Sequence, residues 1–306
     1  MNAVVFGAGS LGSLVGGLLA REHDVTLVAR ADQARAVSES GLQIVGAGEG
    51  VADEFPVHSS PSVTTDGTEL NADLAVVTVK SFDTAAAAAA LSTGSFDAVL
   101  SLQNGMGNEA TLAARVDAPV LAGTATYGAL LREPGVVECT GLGEVVLGAR
   151  DGGPSTIAER VGQAFAAAGI ETTVAEDMPR RLWEKIAVNA GINAVTALTE
   201  TENGAVLEAP ANELARTATR ETARVARECG VSLSDRAALA AMEAVAAATA
   251  ANTSSMAQDL LADRRTEIDA IHGYVVDRAA ETGLDVPTVR TLTALIRTWE
   301  RGRDLR

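Results

Sequence analysis

Ala3-Val4-Val5-Phe6-Gly7-Ala8-Gly9-Ser10-Leu11-Gly12 is the stretch on which the fold turns. A short apolar strand ends in glycines spaced G-x-G-x-x-G and runs into a helical pattern that extends to about residue 22. Each glycine has a physical task in a turn that holds a pyrophosphate. Gly7 permits the tight turn after the strand, Gly9 lets the backbone approach the phosphates, and Gly12 lets the helix pack closely on the sheet. The helix start then offers free N–H groups and the positive end of its dipole to the anion. The expected cofactor-binding residues are therefore Gly7, Ala8, Gly9, Ser10, Leu11 and Gly12. The same spacing also occurs in plain flexible turns. A dinucleotide is favoured because a strand precedes it, an amphipathic helix follows, and a second strand falls at 24–28.

Arg30 stands just past that second strand. Sites for NAD usually carry a carboxylate there, whereas an arginine fork suits a 2′-phosphate. Arg30 thus favours NADPH over NADH. Asp32, two residues on, pulls the other way, and an ordinary surface arginine is the plain alternative.

Further along, residues 41–60 are rich in glycine and polar side chains and predict irregular edge strands. A buried strand over 72–79 is followed directly by Lys80, then by a helix over 84–91 and a strand over 96–102. That strand ends in Gln103-Asn104-Gly105-Met106-Gly107-Asn108, and a helix over 109–116 follows. In open α/β sheets ligands bind outside the carboxyl ends of the strands, so Lys80 and Asn104 are both expected to face the nicotinamide side of the cleft and to take part in cofactor binding. A solvated lysine and a turn-forming asparagine are the bland alternatives. Strands over 120–127, 135–140 and 143–147 predict an antiparallel continuation of the same sheet, with a helix over 154–168 and a strand over 171–174. Beyond Pro179 only helices are expected, over 181–198, 210–229, 234–250, 255–262, 267–281 and 289–301. The boundary is expected between 176 and 179, giving an α/β dinucleotide-binding domain over 1–177 and an all-helical substrate and catalytic domain over 178–306.

Within the helical part, Trp183-Glu184-Lys185-Ile186-Ala187-Val188-Asn189-Ala190-Gly191-Ile192-Asn193-Ala194 is the most informative run. Lys185, Asn189 and Asn193 recur every fourth residue and share one helix face. Such a strip is expensive to bury unless something fills its hydrogen bonds. A polar small substrate would do so, and so would a network at a domain interface. Ser254-Ser255-Met256-Ala257-Gln258-Asp259 and Arg264-Arg265-Thr266-Glu267-Ile268-Asp269 each introduce a helix. Thr266 or Asp263 as a cap, with Glu267 in the first turn, explains much of the second run without any ligand.

Composition bounds the function classes. The chain has 306 residues, 47% hydrophobic and 3% aromatic, with a formal charge of −16. That charge repels nucleic acid and anionic membranes. Lys80 and Lys185 are the only lysines. Acid excess with few lysines resembles salt-adapted proteins, and GC-rich codon usage is an equal explanation. Cys139 and Cys229 lack ligand spacing and are expected to be reduced, buried thiols in a cytoplasmic protein. His23, His58 and His272 are scattered, so no metal site is expected; His272 could flank the site by following Glu267, and a packed or surface histidine is the favoured account. No basic leader precedes the first strand, and the alanine run over 84–91 is too short to span a bilayer.

Taken together, the glycine turn, Arg30, Lys80, Gln103-Asn104-Gly105-Met106-Gly107, Lys185 with Asn189 and Asn193, the 254–259 run and the 265–269 run resemble the ketopantoate reductase family. The resemblance covers nearly the whole chain. It implies an N-terminal Rossmann-type domain, an all-helical C-terminal domain and a cleft between them. It also implies NADPH-dependent reduction of 2-dehydropantoate to (R)-pantoate, a step toward pantothenate and coenzyme A. On the matching motifs, Lys185 and Glu267 take the catalytic roles, Lys80, Asn104, Asn189, Asn193 and Ser255 contact the substrate, and NADP is the cofactor with NADH as an option. A small 2-keto acid is the expected partner, and a homodimer is kept open. Two other readings stay open: a paralogous reductase of another branched 2-keto acid, and a nicotinamide-binding sensor without turnover.

Overall fold

Nearly continuous apolar strands need cover on both faces, and the first part of the chain supplies it with helices around a mostly parallel sheet. The computed structural model describes residues 1–47 and 51–306, so the part of the expected 41–60 strands at 48–50 lies outside the described residues. The chain divides into two compact units, Met1–Gln103 with Asn108–Met178, and Asn104–Gly107 with Pro179–Arg306.

The first unit runs β1 (Asn2–Phe6), α1 (Ser10–Leu19), β2 (Asp24–Val28), α2 (Ala31–Ser40), β3 (Leu42–Gly46), β4 (Val57–Ser59), β5 (Ser62–Thr64), β6 (Asn71–Val77), α3 (Thr84–Leu91), β7 (Ser95–Ser101), α4 (Asn108–Ala113), β8 (Val120–Ala125), β9 (Gly128–Glu133), β10 (Val136–Gly141), β11 (Val145–Ala149), α5 (Thr156–Ala167) and β12 (Thr172–Val174). Eight of these strands form one sheet in the order β12-β11-β8-β7-β6-β1-β2-β5. Every neighbouring pair is parallel except β8 with β11. The chain steps from β1 outward to β2, then returns to place β6 on the other side of β1. This reversal creates the switch point at which the glycine turn sits.

The strands after β8 depart from the expected single sheet. Only β11 continues it antiparallel; β9 and β10 leave to form a second sheet, β4-β3-β10-β9, with β10 parallel to β3. This sheet packs on α1. The cause is visible on the helix, where a Cβ on Gly16 would lie 2.5 Å from Leu27 and one on Gly17 would lie 2.9 Å from Leu42 and Ile44. Two adjacent glycines thus let α1 fit between two sheets. Helix α2 and strand β9 have no counterpart in the sequence-based expectations, and α1 ends at Leu19, short of residue 22.

The second unit contains α6 (Met178–Thr199, its first residue in the first unit), α7 (Ala211–Glu228), α8 (Asp235–Ala248), α9 (Ser255–Leu261), α10 (Tyr274–Thr282) and α11 (Pro287–Arg301). Its core is Ala- and Val-rich, built from buried side chains such as Ile186, Val195, Val225, Met242 and Ile296. Ser254 and Ser234 cap α9 and α8 by accepting from Ala257 and Ala237. The expected helix over 267–281 is broken differently: a π turn over Asp269–Gly273 precedes α10. Cys139 is buried as expected, whereas Cys229 is exposed, because α7 ends beside it and Gly230 turns the chain away. Among the described residues no helix is long and apolar enough to cross a membrane.

Candidate functional site

In the first unit the glycine turn is held by backbone and by one threonine. Gly7 has φ +102°, and a Cβ there would lie 2.7 Å from the Val79 amide. A Cβ on Gly12 would lie 2.1 Å from the Gly7 oxygen. Both positions therefore exclude any side chain for reasons internal to the fold. Gly9 differs: its φ is an ordinary −80°, it is exposed, and a Cβ would meet nothing within 4 Å. The open space lies over the first turn of α1, where no side chain caps the helix and no acidic residue stands. That cradle fits a dinucleotide pyrophosphate. Ala8 and Gly12 are buried, Leu11 is half-buried, and Ser10 accepts from the Leu131 amide at 3.0 Å, fastening α1 to β9.

Thr78 donates to the carbonyls of Phe6 and Gly7 at 3.0 and 2.9 Å, so the end of β6 braces the turn. Behind it, buried Ser13 donates to Ala8, Gln33 donates to Ser13 at 3.0 Å, and the Gly135 amide donates to Gln33 at 2.8 Å. Gln33 thereby fixes the start of α2, whose N-cap is Arg30. Arg30 is exposed at the end of β2, and Asp32 is paired with Arg35 at 2.9 Å.

Lys80 does not directly follow its strand. Strand β6 closes at Val77, and Lys80 caps a 3-10 turn over Ser81–Asp83. A buried polar chain holds that turn: Gln103 donates to Val79 O at 3.1 Å and to Thr84 Oγ1 at 2.7 Å, and Thr84 Oγ1 lies 2.8 Å from both Ser81 O and Asn108 Oδ1. Sequence reading gave no role to Gln33, Thr84, Gln103 or Asn108, although Gln103 and Asn108 stand in the run quoted after the 96–102 strand.

In the second unit Lys185, Asn189 and Asn193 lie along α6 as their spacing requires, the first two half-buried and Asn193 buried. Glu267 is 6% exposed, and the Asn104 amide donates to its Oε2 at 3.4 Å. Glu267 stands before the helix rather than in its first turn. Thr266 caps from there, accepting from the Ile268 amide at 3.2 Å, whereas Asp263 adopts a left-handed conformation and pairs with Arg303. Fully buried Glu300 accepts from both the amide and hydroxyl of Thr266 at 2.7 Å and from Arg306 at 2.5 Å. On the other side of Glu267, burial pushes the Asp269 carboxyl up, but hydrogen bonds from Arg297 and Arg306 outweigh it and hold it below the usual range. The chain on either side of Glu267 is thus fixed, at Thr266 and at Asp269. Ser255 is the exposed first residue of α9; its neighbour Ser254 is the one bonded into the core, 2.8 Å from Thr196. Among the described residues no cluster of side chains has the makeup of a metal site.

A mostly parallel sheet with a glycine turn at its switch point, followed by an all-helical unit, defines a dinucleotide-binding protein of the Rossmann type with a helical second part. The family model for ketopantoate reductase PanE/ApbA matches residues 3–152, and that for its C-terminal part matches 177–300. A 2-dehydropantoate 2-reductase of Halobacterium salinarum is 46% identical over 98% of this chain and 99% of its own. The crystal structure of a PanE/ApbA family ketopantoate reductase from Ralstonia eutropha superposes with TM-score 0.90 at 32% identity, covering 99% of this chain and all of that one. D-mandelate dehydrogenase, solved with NADH and anilino(oxo)acetate, shares the fold alone at 23% identity and TM-score 0.91, with both chains fully covered. The chain belongs to the ketopantoate reductase family.

Proposed function

We propose that the chain reduces 2-dehydropantoate to (R)-pantoate with NADPH, in the route to pantothenate and coenzyme A. The observation that carries this reading is Glu267, a buried residue whose flanking chain is fixed at Thr266 and Asp269 and whose carboxylate is engaged by the Asn104 amide. A carboxylate held in that way is a hydrogen-bond acceptor of defined direction, suited to a substrate hydroxyl. The 4-hydroxyl of ketopantoate is that hydroxyl. The named activity of the Halobacterium relative supports the same substrate.

Bound NADPH supplies the hydride. As negative charge develops on the C2 carbonyl oxygen, Lys185 stabilises it and donates the proton. Asn104, Asn189 and Asn193 orient the keto acid and the lysine, Ser255 takes the carboxylate, and Lys80 adds a positive charge beside cofactor and substrate. The glycine turn 7–12 holds the pyrophosphate on the α1 N-terminus. Arg30, exposed at the end of β2, reads the 2′-phosphate, while Asp32 is committed to Arg35. We place the activity in the cytoplasm, where the free thiols of Cys139 and Cys229 stay reduced.

The deciding assay is cofactor oxidation with NADPH and NADH across a panel of branched 2-keto acids. The highest kcat/KM is expected for ketopantoate with NADPH. A better substrate lacking the 4-hydroxyl would make the chain a paralogous reductase, and cofactor binding without turnover on any keto acid would make it a sensor.

A further inference from the structure

The segment after Glu267 is not an ordinary helix start. Over Asp269–Gly273 the backbone widens into a π turn, and the Tyr274 amide bonds to the Asp269 carbonyl five residues back. In an α-helix the same amide would bond to Ala270. The wider turn releases the Ala270 carbonyl, which accepts instead from the Met106 amide at 2.9 Å. The loop Asn104–Gly107 is thereby seated on the π turn. Gly105 has to be glycine for this, since its φ is +88° and a Cβ would lie 2.5 Å from Ala270 Cβ and 2.9 Å from Ala270 O. Seated there, Asn104 reaches Glu267.

The same turn is tied to α6. His272 is wholly buried, and its Nε2 lies 3.2 Å from the Ala190 carbonyl, one residue beyond Asn189. A carbonyl can only accept, so Nε2 carries the proton and donates, leaving Nδ1 buried without a hydrogen-bond partner among the described residues. An unpaired buried nitrogen is a burden an apolar side chain of similar size would avoid. Something other than packing favours histidine here. A π turn is also uncommon, and such turns concentrate at functional sites.

We propose that His272 is a positioning residue for the keto-acid site, bracing the π turn that seats the Asn104 loop against the helix that carries Lys185, Asn189 and Asn193. This role rests on the reading of Glu267 and Lys185 given above. Through the Ala190 carbonyl it sets the distance between two groups of side chains: Asn104 with Glu267, and the polar face of α6. Loss of the brace displaces them without removing any group that touches substrate.

The test is steady-state kinetics on the full chain for His272→Leu, His272→Gln, Gly105→Ala and Glu267→Ala, with NADPH and ketopantoate. His272→Leu removes the donor, and His272→Gln keeps an N–H of similar reach. His272→Leu is expected to lower kcat/KM for ketopantoate about tenfold or more while the KM for NADPH stays put, because ångström-scale misplacement is enough for such losses. His272→Gln should recover most of it, which a simple packing role would not produce. Gly105→Ala attacks the other end of the brace and decides the matter if the leucine variant does not fold; it should raise the KM for ketopantoate. Unchanged ketopantoate KM and kcat per folded enzyme in His272→Leu and Gly105→Ala, with Glu267→Ala raising KM, would overturn the positioning role alone. If Glu267→Ala also leaves KM unchanged, the reading of the site falls and the positioning role falls with it.

Discussion

The side-chain amide of Asn104 donates to the Glu267 carboxylate at 3.4 Å, across 163 positions of sequence. Sequence reading named the two residues separately, one from a loop after a strand and one from a helix start. Their meeting gives Glu267 a direction as well as a charge. Glu267→Ala is expected to raise the KM for ketopantoate about 10- to 100-fold, the loss of a charge-assisted hydrogen bond of about 1.5–3 kcal/mol, with a smaller effect on kcat. Keto acids without the 4-hydroxyl should be affected much less; a uniform loss across the panel would remove Glu267 from substrate recognition.

Lys185→Ala separates chemistry from binding. Removing a general acid lowers turnover by about 10²- to 10⁴-fold. The variant should fold as judged by circular dichroism, and NADPH binding followed by nicotinamide fluorescence should be preserved. A kcat within a few-fold of the parent, roughly what a non-participating residue would show, would exclude Lys185 from proton transfer.

Gly9 and Gly12 predict opposite outcomes for the same substitution. At Gly12 a methyl group would collide with the Gly7 carbonyl, so Gly12→Ala should lower the unfolding midpoint markedly. Gly9 has room and an ordinary φ, so Gly9→Ala should change stability by no more than about 0.5 kcal/mol while weakening cofactor binding. Denaturant melts paired with cofactor titrations check both. A stable Gly9→Ala protein with unaltered cofactor affinity would show that the space over α1 is not where the pyrophosphate lies.

Arg30→Ala should raise the KM for NADPH much more than that for NADH. The exposed guanidinium at the end of β2 has a phosphate to read only in the former. Equal changes for both cofactors in parallel titrations would rule that reading out.

Acid should loosen the second unit through His272. Complete burial pushes its pKa down to about 4, although the Ala190 carbonyl pulls the other way. The unfolded chain binds this proton near pH 6.5 and the folded chain only near 4, so stability is intact above about 6.5 and declines as pH falls toward 4. A shift of that size corresponds to a loss on the order of 3 kcal/mol. Urea midpoints at pH 7 and pH 5 should differ less in His272→Gln than in the parent; identical pH dependence would mean that His272 is not the group responsible.

Several elements were legible because their cause is local. The strand before Gly7, the alanine-rich α3 and the four-residue recurrence of Lys185, Asn189 and Asn193 follow from apolar runs, helix propensity and helix periodicity. The second sheet was not, because β3 and β10 pair in parallel from distant parts of the chain and neither strand specifies its partner. The anchoring roles of Gln33, Gln103 and Glu300 were not legible either. A buried glutamine or glutamate has the same local signature as a surface one until its partners are known.

What the amino-acid order determined alone was the glycine turn and its helix, the change from strands to helices near Pro179, and the polar face of α6. Each depends on residues within a few turns of one another, where covalent geometry and periodicity act directly. Tertiary structure decided the split of β9 and β10 into their own sheet and the fixing of the chain around Glu267, through Thr266 on Glu300 and through Asp269 on its arginines. It also decided the seating of the Asn104 loop on the released Ala270 carbonyl. These contacts join groups far apart in the chain. Such pairings are selected by burial and hydrogen-bond satisfaction of the whole unit, which no local window contains.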